Sequence, residues 1–114
     1  MFKQKNRLKR KLEVQKVVKV GKSVFDPVCG IKFLKNDLDE SRFAVVVGIK
    51  VHKSAVRRNR VKRQYREIVR LHLDSIKPGF DVVLLTSAKA LELTYVQKEE
   101  RLLAVLRKAG LWKE

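Results

Sequence analysis

The segment from Lys53 to Ile76 constrains the fold more than any other part of the chain. Val61, Tyr65, Ile68, Val69, His72 and Ile76 recur at helical spacing and define one buried face. Asn59, Arg63, Arg66 and Arg70 follow i, i+4, i+7 and i+11 and define a polar stripe on the other side. Ser54 is placed to cap this helix, which is predicted to run through Ile76 and to stop at Pro78-Gly79. Arg57, Arg58, Arg60, Lys62, Arg63 and Arg66, with Lys53 upstream, meet no acid until Glu67. An ordinary solvated helix face mixes signs. A face of one sign is favourable only against a polyanion, whose condensed counterions are released when each cation approaches a phosphate.

The remaining segments read as short elements around that helix. Leu8 to Val20 is an amphipathic helix ended by Gly21, with residues 1–7 as a mobile basic arm. Val28 to Lys35 and Arg42 to Lys50 are β-rich, with Asn36 to Ser41 as the turn of a hairpin between them. Phe80 to Thr86 carries the continuous run Val82-Val83-Leu84-Leu85, as expected of a strand buried on both faces. Thr94 caps a last helix whose inner face holds Val96, Leu102, Leu103 and Leu106, closed by Gly110. The fold expected is α+β in the order α-β-β-α-β-α, with room for an extra short edge strand. It is a two-layer sandwich with helices on one side of a small sheet and one sheet face left open.

Composition decides whether this is a folded core or a basic tail. The chain has 114 residues, a net charge of +16 and 45% hydrophobic residues, so it is one domain with an ordinary core under a basic coat. The longest apolar run, Phe43 to Ile49, is far short of the roughly 20 residues of a membrane span. No signal-peptide pattern is present, and the single Cys29, read as a small buried hydrophobe, fits a reducing cytoplasm. No membrane partner is expected, and a protein oligomer is not required.

Arg58-Asn59-Arg60-Val61-Lys62-Arg63, preceded by Ala55-Val56, resembles the signature of the protein component of bacterial ribonuclease P. The basic first helix ending near Gly21, the signature helix, the hydrophobic strand and Leu93-Thr94-Tyr95 before the last helix come in that family's order. The resemblance covers Leu8 to Trp112. It implies a left-handed βαβ crossover around the signature helix and an RNA subunit as the catalyst. The protein then binds this catalytic RNA and the 5′ leader of precursor tRNA, in support of 5′ maturation. Magnesium is the implied cofactor, held by the RNA and not by the protein. Arg57, Arg58, Asn59, Arg60, Lys62, Arg63 and Arg66 are the implied contacts to the catalytic RNA. Arginine suits that role because its planar fork makes two bonds to one phosphate. The leader is assigned to a cleft between the first helix and the sheet, with Val14, Val18, Phe33, Lys50, Lys53 and Lys89 as its contacts. Many relatives carry phenylalanines where Val14 and Val18 stand. Valine has no ring to stack on a base, which leaves Phe33, Phe43 or Phe25 to supply one.

Other residues have plainer readings. His72 is expected as a packed core histidine, and His52 stands evenly between RNA contact and loop. Neither has partners at metal-ligand spacing. Asp37, Asp39 and Glu40 are read as turn residues, and Trp112 as a cap on the core. Phe33 and Phe43 divide evenly between core and cleft, depending on strand register. No catalytic constellation of side chains is recognisable, so no catalytic residue is assigned. The competing classes are a structural ribosomal or other rRNA-binding protein, which would travel with ribosomes, and a stand-alone nuclease, which would act without RNA.

Overall fold

The apolar run Phe80–Thr86 forms the strand on which the rest is assembled. The computed structural model describes residues 3–113. Its elements are α1 (Lys11–Val20), β1 (Lys22–Phe25), β2 (Cys29–Lys35), β3 (Arg42–Val46), α2 (Ala55–Leu71), β4 (Phe80–Thr86) and α3 (Tyr95–Lys108). The four strands make one mixed sheet in the order β1-β2-β4-β3. Strand β2 is antiparallel to both β1 and β4, while β3 runs parallel to β4 with α2 in the connection. The α+β class therefore holds, and β1 is the extra edge strand. Among the described residues no helix is long and apolar enough to cross a membrane.

The predicted hairpin is wrong. Asn36–Ser41 does not join paired strands, because β4 lies between β2 and β3. The hairpin is β1–β2, closed by Asp26, whose Oδ1 accepts the Val28 and Cys29 N–H groups at 2.7 and 2.9 Å. The 36–41 segment is still a turn, but one pinned to the strand it passes. Asn36 Oδ1 accepts from Leu38 N–H at 2.8 Å, and its Nδ2 donates to Asp81 at 2.9 Å.

Alternation along each strand sorts the core onto two faces. Ile31, Phe33, Phe43, Val45, Val82 and Leu84 face α2 and α3, where they meet Val61, Tyr65, Ile68, Leu102, Val105 and Leu106. Val83 faces the other way, onto Leu8 and Val17, with Val14, Val18, Leu34, Ala44 and Leu85 around it. Val82, Val83 and Leu84 are all at most 3% exposed, as a strand covered on both faces requires. The layering thus differs from the expectation: α2 and α3 share one side, but α1 occupies part of the other. Arg42 fixes α1 there. Its guanidinium donates to Asp81 at 2.8 and 2.7 Å and to Glu13 of α1 at 3.0 Å. The Asp81 hydrogen bonds are the main cause of its raised pKa.

Element ends differ from the sequence reading for local reasons. Helix α2 stops at Leu71, because His72 N–H closes onto the Ile68 and Val69 carbonyls. A 3-10 turn at Leu73–Ser75 then returns Ile76 to the core, where it bridges to Trp112. Strand β3 ends at Val46, not Lys50. Val96 is exposed, and the inner face of α3 is Lys98, Leu102, Val105 and Leu106. Gly21 ends α1 with an ordinary φ of −73°; glycine is needed for space, since a Cβ there would lie 2.5 Å from the Val17 carbonyl oxygen. The arm expected over residues 1–7 is held from Lys3 onward. Asn6 is buried and donates to the Ser41 carbonyl at 3.0 Å, Arg7 bridges to Phe43, and Lys5 pairs with Glu40 at 2.9 Å. Met1 and Phe2 lie outside the described residues.

Candidate nucleic-acid interface

Helix α2 is positioned by its apolar face, so its cations are displayed by default. Val61, Tyr65, Ile68 and Val69 seat it on the sheet. At its start, Ser54 Oγ accepts from Arg57 N–H at 3.4 Å. Val56, Asn59, Lys62, Arg63 and Arg66 then line one shallow depression on the outer side. Arg57 and Arg60 turn toward α3 and line a second. Among the described residues, no carboxylate pairs with Arg57, Arg60, Lys62, Arg63 or Arg66. Glu67, the first acid along the helix, is held by Arg70 at 3.0 Å. Burial, and then the charge of Arg7, lower the Arg66 pKa below its ordinary value. Arg7 thus joins the cationic face from the N-terminal segment. The sequence signal was the basic arm itself, but its docking on β3 was not legible.

Arg58 differs from its neighbours. Its Nη1 donates to the His52 and Lys53 carbonyls, both at 2.8 Å, and so closes the loop before α2. His52 belongs to the same closure, with Nδ1 accepting from Ser54 N–H at 2.9 Å. His52 thus takes part in the loop's own hydrogen bonding, and Arg58 is first a loop-fixing residue.

The residues assigned to a leader cleft separate into two groups. Phe33 does not reach the cleft. It is 8% exposed on the α2/α3 face, edge-on to Phe80 at 6.1 Å. Phe43 is buried on the same face, so strand register resolves both rings to the core. Val14 and Val18 do face the sheet from α1, half-buried against the Leu8, Val17 and Val83 cluster. Lys32 Nζ donates to the Val18 carbonyl at 2.8 Å and ties the end of α1 to β2. Beyond α1 the sheet stays open. Phe25, Gly30, Leu85 and Val46 stand side by side across all four strands. Phe25 is 49% exposed, and its ring covers Gly30 so closely that a Cβ there would fall 1.8 Å from Phe25 Cδ1. Strands β3 and β4 end together at Val46 and Thr86, so the exposed residues Lys50, Lys53 and Lys89 follow from the same end of the sheet.

The remaining singled-out residues have structural roles. Cys29 is buried and its thiol is pushed up to about 12, by burial first and the Asp26 charge second. His72 is half-buried and not fully in the core; its Nε2 meets Glu99 at 2.9 Å. Trp112 caps the core, with its ring between His72 and Arg107. Among the described residues, no three His, Cys, Asp or Glu side chains gather to hold a metal ion.

Known proteins share this fold. Residues 2–110 match the family model described as Ribonuclease P. The ribonuclease P protein component of Pelotomaculum thermopropionicum is 36% identical over 104 residues, covering 91% of this chain and 92% of that one. The RNase P protein from Thermotoga maritima superposes with a TM-score of 0.82 at 34% identity, covering 90% of this chain and 96% of that one. An RNase P protein of Staphylococcus aureus gives a TM-score of 0.86 at 28% identity, covering 95% and 98%.

Proposed function

The chain belongs to the bacterial ribonuclease P protein family, and from that premise we propose how its surfaces divide the work of the enzyme. It is the protein subunit of ribonuclease P, and ribonuclease P RNA is its partner. The outer face of α2 binds that RNA through Asn59, Lys62, Arg63 and Arg66, with Arg57 and Arg60 beside them. The observation that carries this reading is that, among the described residues, these cations have no carboxylate partners, which leaves their charge for phosphates. Asn59 adds a neutral donor and acceptor suited to a 2′-hydroxyl.

The single-stranded 5′ leader of precursor tRNA crosses the open end of the sheet. Phe25 is the exposed ring of that surface, and Gly30 leaves it room to lie flat. A base stacked on such a ring gains about 1–3 kcal/mol. Val14 and Val18 form the apolar wall toward α1, while Lys50, Lys53 and Lys89 contribute phosphate charge. The protein assists hydrolysis by holding two RNAs together. Magnesium, held by the RNA and not by this chain, would supply the metal assistance for attack on the phosphodiester. This work belongs to the cytoplasm, where a lone buried thiol stays reduced.

Phe25→Ala should weaken precursor tRNA with a leader by about 1–3 kcal/mol. It should leave mature tRNA and the subunit's affinity for ribonuclease P RNA unchanged. Competition binding to the reconstituted enzyme measures both. Equal binding of leader by wild type and Phe25→Ala would remove the leader path from this surface.

A further inference from the structure

Lys98 is the one lysine that the described fold buries. It is 4% exposed, on the inner face of α3. Its ammonium donates to Gln64 Oε1 at 2.7 Å and to the Leu93 carbonyl at 3.2 Å. Both acceptors are neutral, and among the described residues no carboxylate pairs with it. Burying a charge without a counter-charge is costly. Burial, and then the charge of Arg60, accordingly lower the Lys98 pKa. The ammonium sits beside a cleft of about 470 Å³ that also carries Arg57 and Arg60 and no acidic residue. Thr94 and Tyr95, at the positive end of the 14-residue helix α3, line the same cleft.

We propose that the cleft between α2 and α3 is a phosphate seat, in which Lys98, Arg57 and Arg60 together hold one phosphodiester group of the RNA partner. Gln64 and the Leu93 carbonyl aim the ammonium, and the phosphate supplies the missing counter-charge. The two arginines add forked donors from α2. The seat extends the RNA interface from the outer face of α2 onto α3, and it rests on the reading of α2 as that interface. A basic cluster on a solvated surface does not need a buried member. Lys98 is kept under the surface at an energetic cost, as groups held for binding often are.

The test compares wild type, Lys98→Met and Arg63→Glu for thermal stability and for binding of ribonuclease P RNA across a salt series. Lys98→Met should melt at the same or a higher temperature, because an uncompensated buried charge is gone. It should bind RNA about three- to tenfold more weakly at moderate salt, with the slope of log affinity against log salt smaller by at most about 0.7–0.9, the share of one whole phosphate. Inorganic phosphate titrated into the wild-type protein should shift the Gln64 side-chain amide and the backbone amides of residues 95–98 by NMR, and RNA should displace those shifts. Unchanged RNA binding by Lys98→Met beside a clear loss in Arg63→Glu would overturn the seat and leave the interface standing. Unchanged binding in both would remove the interface itself. A lower melting temperature for Lys98→Met, with no phosphate shifts in the wild type, would make Lys98 a structural strut and overturn the seat.

Discussion

At the scale of single residues, position within one motif separates structure from recognition. Arg58 and Arg63 look equivalent in sequence, yet only Arg58 binds backbone carbonyls of its own chain. Arg58→Ala should therefore cost about 1–2 kcal/mol of folding stability as well as RNA affinity, given charged hydrogen bonds discounted for partial exposure. Arg63→Ala should cost RNA affinity alone; denaturant melts beside filter binding tell the two apart. Cys29 gives a second prediction. Its folded pKa is raised from 9.0 to about 12, so the unfolded chain deprotonates first as pH rises. The unfolded state then binds fewer protons, and this group's contribution to stability, full below pH 9, is lost between about pH 9 and 12. Native protein at pH 8 should resist alkylating reagents, measured by mass spectrometry, and urea-unfolded protein should react. Burial of Cys29 was legible from composition and compartment. The backbone closure by Arg58 was not, since nothing in Arg-Arg-Asn-Arg tells which fork turns inward.

At the scale of elements, the periodic signals were legible and the pairings were not. The run Val82 to Leu85 is legible as a strand covered on both faces, and Val82, Val83 and Leu84 are buried. The same run hid the topology, since a strand distant in sequence was free to enter between β2 and β3 and turn an apparent hairpin into a crossing. Phe33 and Phe43 could not be assigned to a face before register was known, and register sends both to the core. On α3, apolar character alone would place Val96 inward, and it is exposed. The spacing Lys98, Leu102, Val105, Leu106 was the stronger signal, and it carried a lysine inside. Helix α1 is tied to the sheet by its apolar face, by Lys32 and, among the described residues, by one ionic joint at Arg42. Arg42→Ala would leave Asp81, an 8% exposed carboxylate, without its forked partner and free α1 from Glu13's tether. The expected loss is about 3 kcal/mol, with faster hydrogen exchange across Lys11–Val20 than across α2. Uniform exchange in both helices would mean that the apolar contacts and Lys32 hold α1 without the ionic joint.

At the scale of the whole molecule, a net charge of +16 guarantees some affinity for any RNA. The interface we propose goes further, with one face, built on α2, receiving ribonuclease P RNA. Total charge and placed charge are separable. Arg63→Glu with Arg66→Glu changes the outer face of α2, while Lys108→Glu with Lys113→Glu changes the far end of α3 and the C-terminal segment. Each pair lowers the net charge by the same amount. The decisive measurement is the affinity of ribonuclease P RNA for wild type and both pairs at two salt concentrations. The expected result is a large loss for the α2 pair, with a shallower salt dependence, and a small loss for the other. Equal losses at both salts would contradict it, because the RNA would then be reading the charge of the whole protein and not a face.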